Sequence, residues 1–133
     1  MNNKVVVRYT DGRVVKGTTA DFLPAKDRFH LTLAGAPPDA LPIEILTREL
    51  KAVFFVKDFA GDPGRAEVNE FDPAHPQAGR RIRVVFNDGE LLVGTTAGYQ
   101  PGRPGFFIVP ADPNSNNERC FVFAAATREI GFL

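Results

Sequence analysis

The chain has 133 residues and a formal charge of zero, with 44% hydrophobic and 24% charged residues. That length allows one ordinary domain or two very small ones, and the even charge balance argues against a general nucleic-acid binder, which carries a basic excess. A single cysteine, Cys120, leaves nothing to pair with inside the chain, and no apolar run approaches the roughly 20 residues of a membrane span.

Taken in order, the residues read as strands. Lys4–Tyr9 is β-branched and aromatic, and it stops at Thr10-Asp11-Gly12. An Asp-Gly between apolar runs predicts a tight hairpin turn in which both central residues take positive φ. Arg13–Phe22 continues as a long second strand, with Gly17 marking a bend or bulge. Arg28–Leu33 alternates: Phe29, Leu31 and Leu33 share one face, and Arg28, His30 and Thr32 the other. Pro42–Leu46 and Ala52–Val56 supply a fourth and a fifth strand, with at most one helical turn at Thr47–Leu50. Ala52-Val53-Phe54-Phe55-Val56 is apolar on both faces, so Phe54 needs cover from elsewhere, either the rest of the chain or an external partner.

After a Pro/Gly-containing acidic stretch the pattern returns. Residues 4–56 lie on residues 81–133 at a constant offset of 77, with Asp11-Gly12 on Asp88-Gly89, Gly17-Thr18-Thr19-Ala20 on Gly94-Thr95-Thr96-Ala97, Pro24 on Pro101, Phe29 on Phe106 and Phe55 on Phe132. Such self-similarity is the mark of an internal duplication. The predicted organisation is a first repeat at 1–57, a linker at 58–79 and a second repeat at 80–133. The identical triplets Thr47-Arg48-Glu49 and Thr127-Arg128-Glu129 stand 80 apart and read as coincidence, because that spacing would leave the second repeat without its last strand.

Five short strands with an Asp-Gly turn, a glycine-bent second strand and a Phe-x-Leu-x-Leu third strand resemble an Sm-like, SH3-like small barrel. The stretch Val5–Leu33 is similar to the first Sm motif, ending in the acidic-aromatic pair Asp21-Phe22. The whole chain also resembles an uncharacterised bacterial family built from this duplicated unit, through Asp11–Thr19, Leu50–Val56 and Pro113–Arg119. The resemblance implies an all-β fold of two tandem Sm-like/SH3-like barrels and carries no activity. Sm-type uridine binding is not carried over: Leu23–Asp27 is inserted after Asp21-Phe22, Gly98 replaces Asp21 in the second repeat, and no glycine follows either fourth strand.

Candidate chemistry is sparse. The loops between second and third strands hold matched cations, Lys26 in Pro24–Arg28 and Arg103 in Pro101–Gly105; a fork fixed between prolines suits carboxylate or phosphate, against the plainer reading of a solvated turn. Arg80-Arg81-x-Arg83 reads as a charged strand edge, and Asp112–Glu118 as a turn-rich hairpin connection without the ligand pattern of a calcium loop. His30 and His75 have no ligand-spaced companions, so no metal site, cofactor or catalytic set is expected. The expectation is a cytoplasmic, non-catalytic binding or adaptor module for another protein in bacterial regulation, with self-association through strand edges as a possibility. The alternative is RNA or nucleotide binding through Lys26, Arg28 and Arg103. The binding residues proposed are Lys26, Arg28, Arg103, Asp21 and Phe54, and no membrane partner is expected.

Overall fold

A computed structural model describes residues 2–60 and 69–133. It has ten strands: β1 (Asn3–Tyr9), β2 (Val14–Thr19), β3 (Arg28–Leu33), β4 (Ile43–Leu46), β5 (Leu50–Val56), β6 (Arg80–Phe86), β7 (Leu91–Thr96), β8 (Gly105–Pro110), β9 (Asn117–Phe123) and β10 (Thr127–Phe132). Single 3-10 turns, Thr47–Glu49 and Ala124–Ala126, precede β5 and β10.

All ten strands belong to one antiparallel sheet in the order β10-β6-β7-β8-β9-β5-β1-β2-β3-β4. Two tandem small barrels packed together were expected; the strands form one continuous sheet that is not closed, in which β5 pairs with β9 across the midline. β5 is buried along its whole length and β9 over Cys120–Phe123, so both need cover on both faces. The register of each ladder in one half recurs in the other. Val5 faces Gly17 as Ile82 faces Gly94, Phe29 faces Ile45 as Phe106 faces Val122, and Val5 faces Phe55 as Ile82 faces Phe132. Every one of these pairs is related by the offset of 77, and the two 3-10 turns are too. Thr127–Glu129 therefore lies on a strand while Thr47–Glu49 lies on a turn.

The Asp-Gly connections differ from the expected turn. Only the glycines take positive φ, Gly12 at 95° and Gly89 at 93°; Asp11 and Asp88 do not. Each aspartate instead accepts the backbone N–H two residues on, Arg13 N to Asp11 Oδ1 at 3.0 Å and Glu90 N to Asp88 Oδ1 at 2.9 Å. A side-chain bond of that kind stabilises a turn with one left-handed residue, which glycine supplies.

Two cores lie on opposite faces of the central strands. The first holds Val5, Val7, Phe29, Leu31 and Ile45 with Val53 and Phe55 of β5, and it takes Phe121 and Phe123 from β9. The second holds Ile82, Val84, Phe86, Phe106 and Ile108 with Cys120 and Val122, and it takes Val6, Ala52, Phe54 and Val56 from the first half. Period-two alternation sends neighbouring side chains of β5 and β9 to different cores. Arg80–Arg83 is not at an edge as expected, since β6 pairs with both β10 and β7. Its cations are used locally: Arg80 lies 3.8 Å from the Phe132 ring centroid, Arg81 4.4 Å from that of Phe71, and Arg83 pairs with Glu129 at 2.8 Å.

The strand bends require glycine for space. A Cβ on Gly94 would stand 2.1 Å from the Val109 carbonyl oxygen, and one on Gly17 2.3 Å from that of Thr32. Backbone cannot yield as a flexible side chain can, so Gly94→Ala should lower stability by about 1–3 kcal/mol. Gly98→Ala, where nothing lies within 4 Å, should leave the thermal midpoint nearly unchanged. Paired melting curves check this; equal midpoints for the two variants would contradict it.

Candidate functional site

The five residues singled out in the sequence lie in three places. Lys26 is exposed on its loop, where its backbone N–H donates to Leu23 O at 3.0 Å. Arg28 spends its guanidinium on Asp27 at 3.3 Å and Glu44 at 3.2 Å. Asp21 accepts the His30 backbone N–H at 2.9 Å, the Thr19 hydroxyl at 3.2 Å, and faces His30 Nδ1 at 2.7 Å. Partial burial pushes the Asp21 carboxyl up, but these bonds outweigh it and hold the group below the ordinary carboxylate range. Asp21 thus ties the end of β2 to β3.

Arg103 stands in a hollow of about 400 Å³ lined also by Pro24, Ala25, Pro104, Phe106 and Phe107. Pro24 and Ala25 of one matched loop thus meet Arg103 and Pro104 of the other, while Lys26, Arg28 and Asp21 are not among the residues that line the hollow. Beneath it Phe22, Phe29, Phe55, Phe107 and Phe121 pack edge to face, with Phe22–Phe29 centroids 5.1 Å apart.

Phe54 lies elsewhere. It is buried among the second core and forms the floor of a cleft of about 700 Å³ on the outer face of β1, β2 and β5. Arg8 lies over its ring, 5.1 Å from the centroid. Lys16 Nζ donates to the Phe59 carbonyl at 2.8 Å, and Lys57 also lines the cleft. The opposite wall is residues 114–117. Asn116 holds that wall in place, because its Nδ2 donates to Asp58 O at 2.8 Å and its Oδ1 accepts from Asp58 N at 3.1 Å. The connection is turn-rich as expected: Asn114 N donates to Asp112 Oδ1 and Asn117 N to Ser115 Oγ.

Two further features stand out: one charge that went unread in the sequence, and the strand edges, whose residues the sequence reading did not single out. Lys51, the one charge in the apolar run Leu50–Val56, is 7% exposed and reaches Asp88 Oδ2 at 2.7 Å and Glu90 Oε1 in the β6–β7 turn, with Phe86 under its ammonium at 4.6 Å. It clamps the halves together a few residues from the seam. The second feature is the pair of free edges. β4 and β10 end the sheet, and exposed apolar side chains collect there: Ile43 and Leu41 (88% exposed) at one edge, Phe132 and Leu133 (68% exposed) at the other.

No group of three or more His, Cys, Asp or Glu side chains placed to hold a metal ion occurs among the described residues. No helix of the described residues is long and apolar enough to cross a membrane.

Fold and surfaces together define an all-β protein built on one ten-stranded antiparallel sheet with a sealed centre and open ends. The chain belongs to a family described as a family of unknown function (DUF6982), whose model matches residues 1–133. Neither the curated proteins nor the solved structures contain a match.

The Lys51 clamp makes stability depend on acid. The hydrogen bond from Lys51, then that from the Glu90 backbone, holds the Asp88 carboxyl below its ordinary value of 3.8. A depressed carboxylate contributes stability that is present above the unfolded-state value and lost as pH falls through the folded one. Between about pH 5 and pH 2 the melting temperature of the native chain should therefore fall more steeply than that of Asp88→Asn. Parallel curves would show that the clamp carries no linkage.

Proposed function

We propose that this is a non-catalytic protein-interaction module that works by strand addition at its two free sheet edges, with a second copy of the chain as the partner the geometry favours. The observation that carries the reading is the β5–β9 seam. It joins the fifth strand of one half to the fourth strand of the other. The counterpart of β9 is β4, and that of β5 is β10; these are the two strands that end the sheet. The molecule thus displays the two halves of an interface that it already uses once inside itself.

The strand order β5-β1-β2-β3-β4, repeated as β10-β6-β7-β8-β9, supports reading each half as an Sm-like small-barrel repeat. Applying the seam's register through the offset of 77 sets Gly131 opposite Ile43 and Ile130 opposite Glu44 of the next copy, as Phe54 faces Cys120 and Val53 faces Phe121. Main-chain ladders supply the affinity in such pairing, and alternate side chains the selectivity. Because the two edges differ, the contact is heterologous and propagates head to tail, closing as a ring if the rotation allows.

The non-catalytic part of the proposal rests on how the reactive side chains are spent. His30 and His75 are each held by an aspartate two to three ångströms away, Asp21 at 2.7 Å and Asp72 at 3.0 Å. The Cys120 thiol is buried and donates to Ile108 O at 3.6 Å.

Light scattering coupled to size exclusion should show mass above 14.6 kDa rising with concentration. Ile43→Lys, which puts a charge on one exposed edge, should return the protein to monomer without moving its melting point. Under mild oxidation an Ile43→Cys chain mixed with a Gly131→Cys chain should form a disulfide-linked pair. A monomer at every concentration, with no cross-link in the mixture, would overturn the reading.

A further inference from the structure

The strand-addition proposal leaves the cleft on the outer face of β1, β2 and β5 unused. Its walls carry three cations, Arg8, Lys16 and Lys57, against one carboxylate, Asp58, in a chain whose formal charge is zero. That carboxylate is itself engaged, accepting the Ala60 backbone N–H at 3.0 Å. Among the described residues that line the cleft, cations therefore outnumber carboxylates three to one.

Nothing in the fold calls for these charges. At the equivalent places in the other half, 77 residues on, Arg8 becomes Val85 and Lys16 becomes Val93, both buried and apolar. One half of a repeated framework has thus acquired a cationic pocket where the other keeps plain core. Val6 faces Lys16 and Arg8 faces Val14 in the β1–β2 ladder, so both cations lie on the same sheet face as Val6 and Phe54.

Arg8 is poised rather than spent. Its stem passes over Phe54, which stacks beneath the guanidinium and limits its freedom. Its Nε is buried and meets no hydrogen-bond acceptor among the described residues. A buried donor left without an acceptor is costly, more so when charged, and an arriving oxyanion removes that cost. Lys16 is held by one bond to the Phe59 carbonyl, which leaves two of its three ammonium hydrogens for a ligand. The cleft volume of about 700 Å³ falls inside the range of small-molecule sites.

We infer that this cleft binds a phosphate-bearing small molecule, with the phosphate received by Arg8 and Lys16 and the remainder lying toward the 114–117 wall. Arg8 and Lys16 meeting one oxyanion, with Lys57 also on the cleft wall, suit a dianionic phosphate better than a monocarboxylate, which a single guanidinium fork already satisfies.

The test is calorimetric titration of the intact protein at fixed ionic strength with adenosine 5′-monophosphate, inorganic phosphate, adenosine and acetate, followed by amide and Arg Nε–H NMR shifts. Saturable binding of the monophosphate and of inorganic phosphate is expected, tighter for the monophosphate, with the Arg8 Nε–H and the Asn116 and Asn117 amides moving. Adenosine and acetate should not bind. Arg8→Met keeps the apolar stem and removes the charge, so it should weaken phosphate binding at least about tenfold while melting at the native temperature or above. Lys16→Gln, on an exposed strand position, gives a second variant with the same expectation should Arg8→Met fold poorly. Lack of saturation with about 10 mM phosphate, binding of acetate as tight as that of phosphate, or binding unchanged in both variants would each overturn the assignment. Because the strand edges lie at the ends of the sheet, Ile43→Lys should bind phosphate as the native chain does, which separates this result from the association experiment.

Discussion

The rest of the molecule depends on one ladder, the antiparallel pairing of β5 with β9. With β5 buried throughout and β9 buried over Cys120–Phe123, these strands have no stable place at an edge, and each offers the other both its backbone groups and an apolar surface. Their pairing sets one half of the chain beside the other and makes a single sheet of ten strands. It also interleaves the cores. Phe121 and Phe123 leave the second half to fill the first core, and Phe54 and Val56 cross the other way. Units of roughly 55 residues bury too little apolar surface to stand comfortably alone. Sharing β5 and β9 gives each half side chains it does not itself encode.

Polar interactions refine this arrangement more than they drive it. Lys51 sits next to the seam with little exposure, and the carboxylates of Asp88 and Glu90, with the Phe86 ring beneath the ammonium, make its burial tolerable. The pair therefore acts as a register mark, since a shift of β5 along β9 would strand the ammonium among apolar groups. Gln77 has a similar part at the start of the second half, where its amide donates to Pro110 O at 2.9 Å and accepts from Thr95 Oγ1 at 3.1 Å. Arg119, stacked on Phe55 at 4.4 Å and Phe107 at 4.7 Å, covers the aromatic cluster at the seam's end with a face that still meets water.

Much of the fold was legible in the residues. Period-two alternation marked the strands, the repeated Asp-Gly and Gly-Thr-Thr-Ala segments set the offset, and the two-sided apolar run around Phe54 announced a strand with neighbours on both faces. Sheet closure was not legible, because a strand's partners follow from long-range packing that alternation does not encode. The turn type escaped because Asp-Gly fits two geometries, and the Asx hydrogen bond selects between them only in three dimensions. Among site residues, Asp21 and Arg28 read as free groups because their partners, His30 and Glu44, come from across the sheet. Arg8 and Lys51 were passed over for a related reason. A lone charge in an apolar strand is usually a solvated face, and burial alone separates the exceptions. The second half held the missing clue, since Val85 and Val93 show what the framework places at two of the cleft's cationic positions when no charge is needed.

The exchange of side chains across the seam also constrains how the two halves can change over time. A volume change at Phe121 is felt by Phe22 and Phe107, residues from different halves, whose rings lie 5.4 and 5.0 Å away. Repair of such a change must then come from the opposite half as readily as from its own. The two segments, although similar enough to align without a gap, are not interchangeable parts: each has become the mould of the other, and a chain assembled from two first halves would put Ile43 and Ile45 where the seam requires Cys120 and Val122, and Glu44 in the place of Phe121.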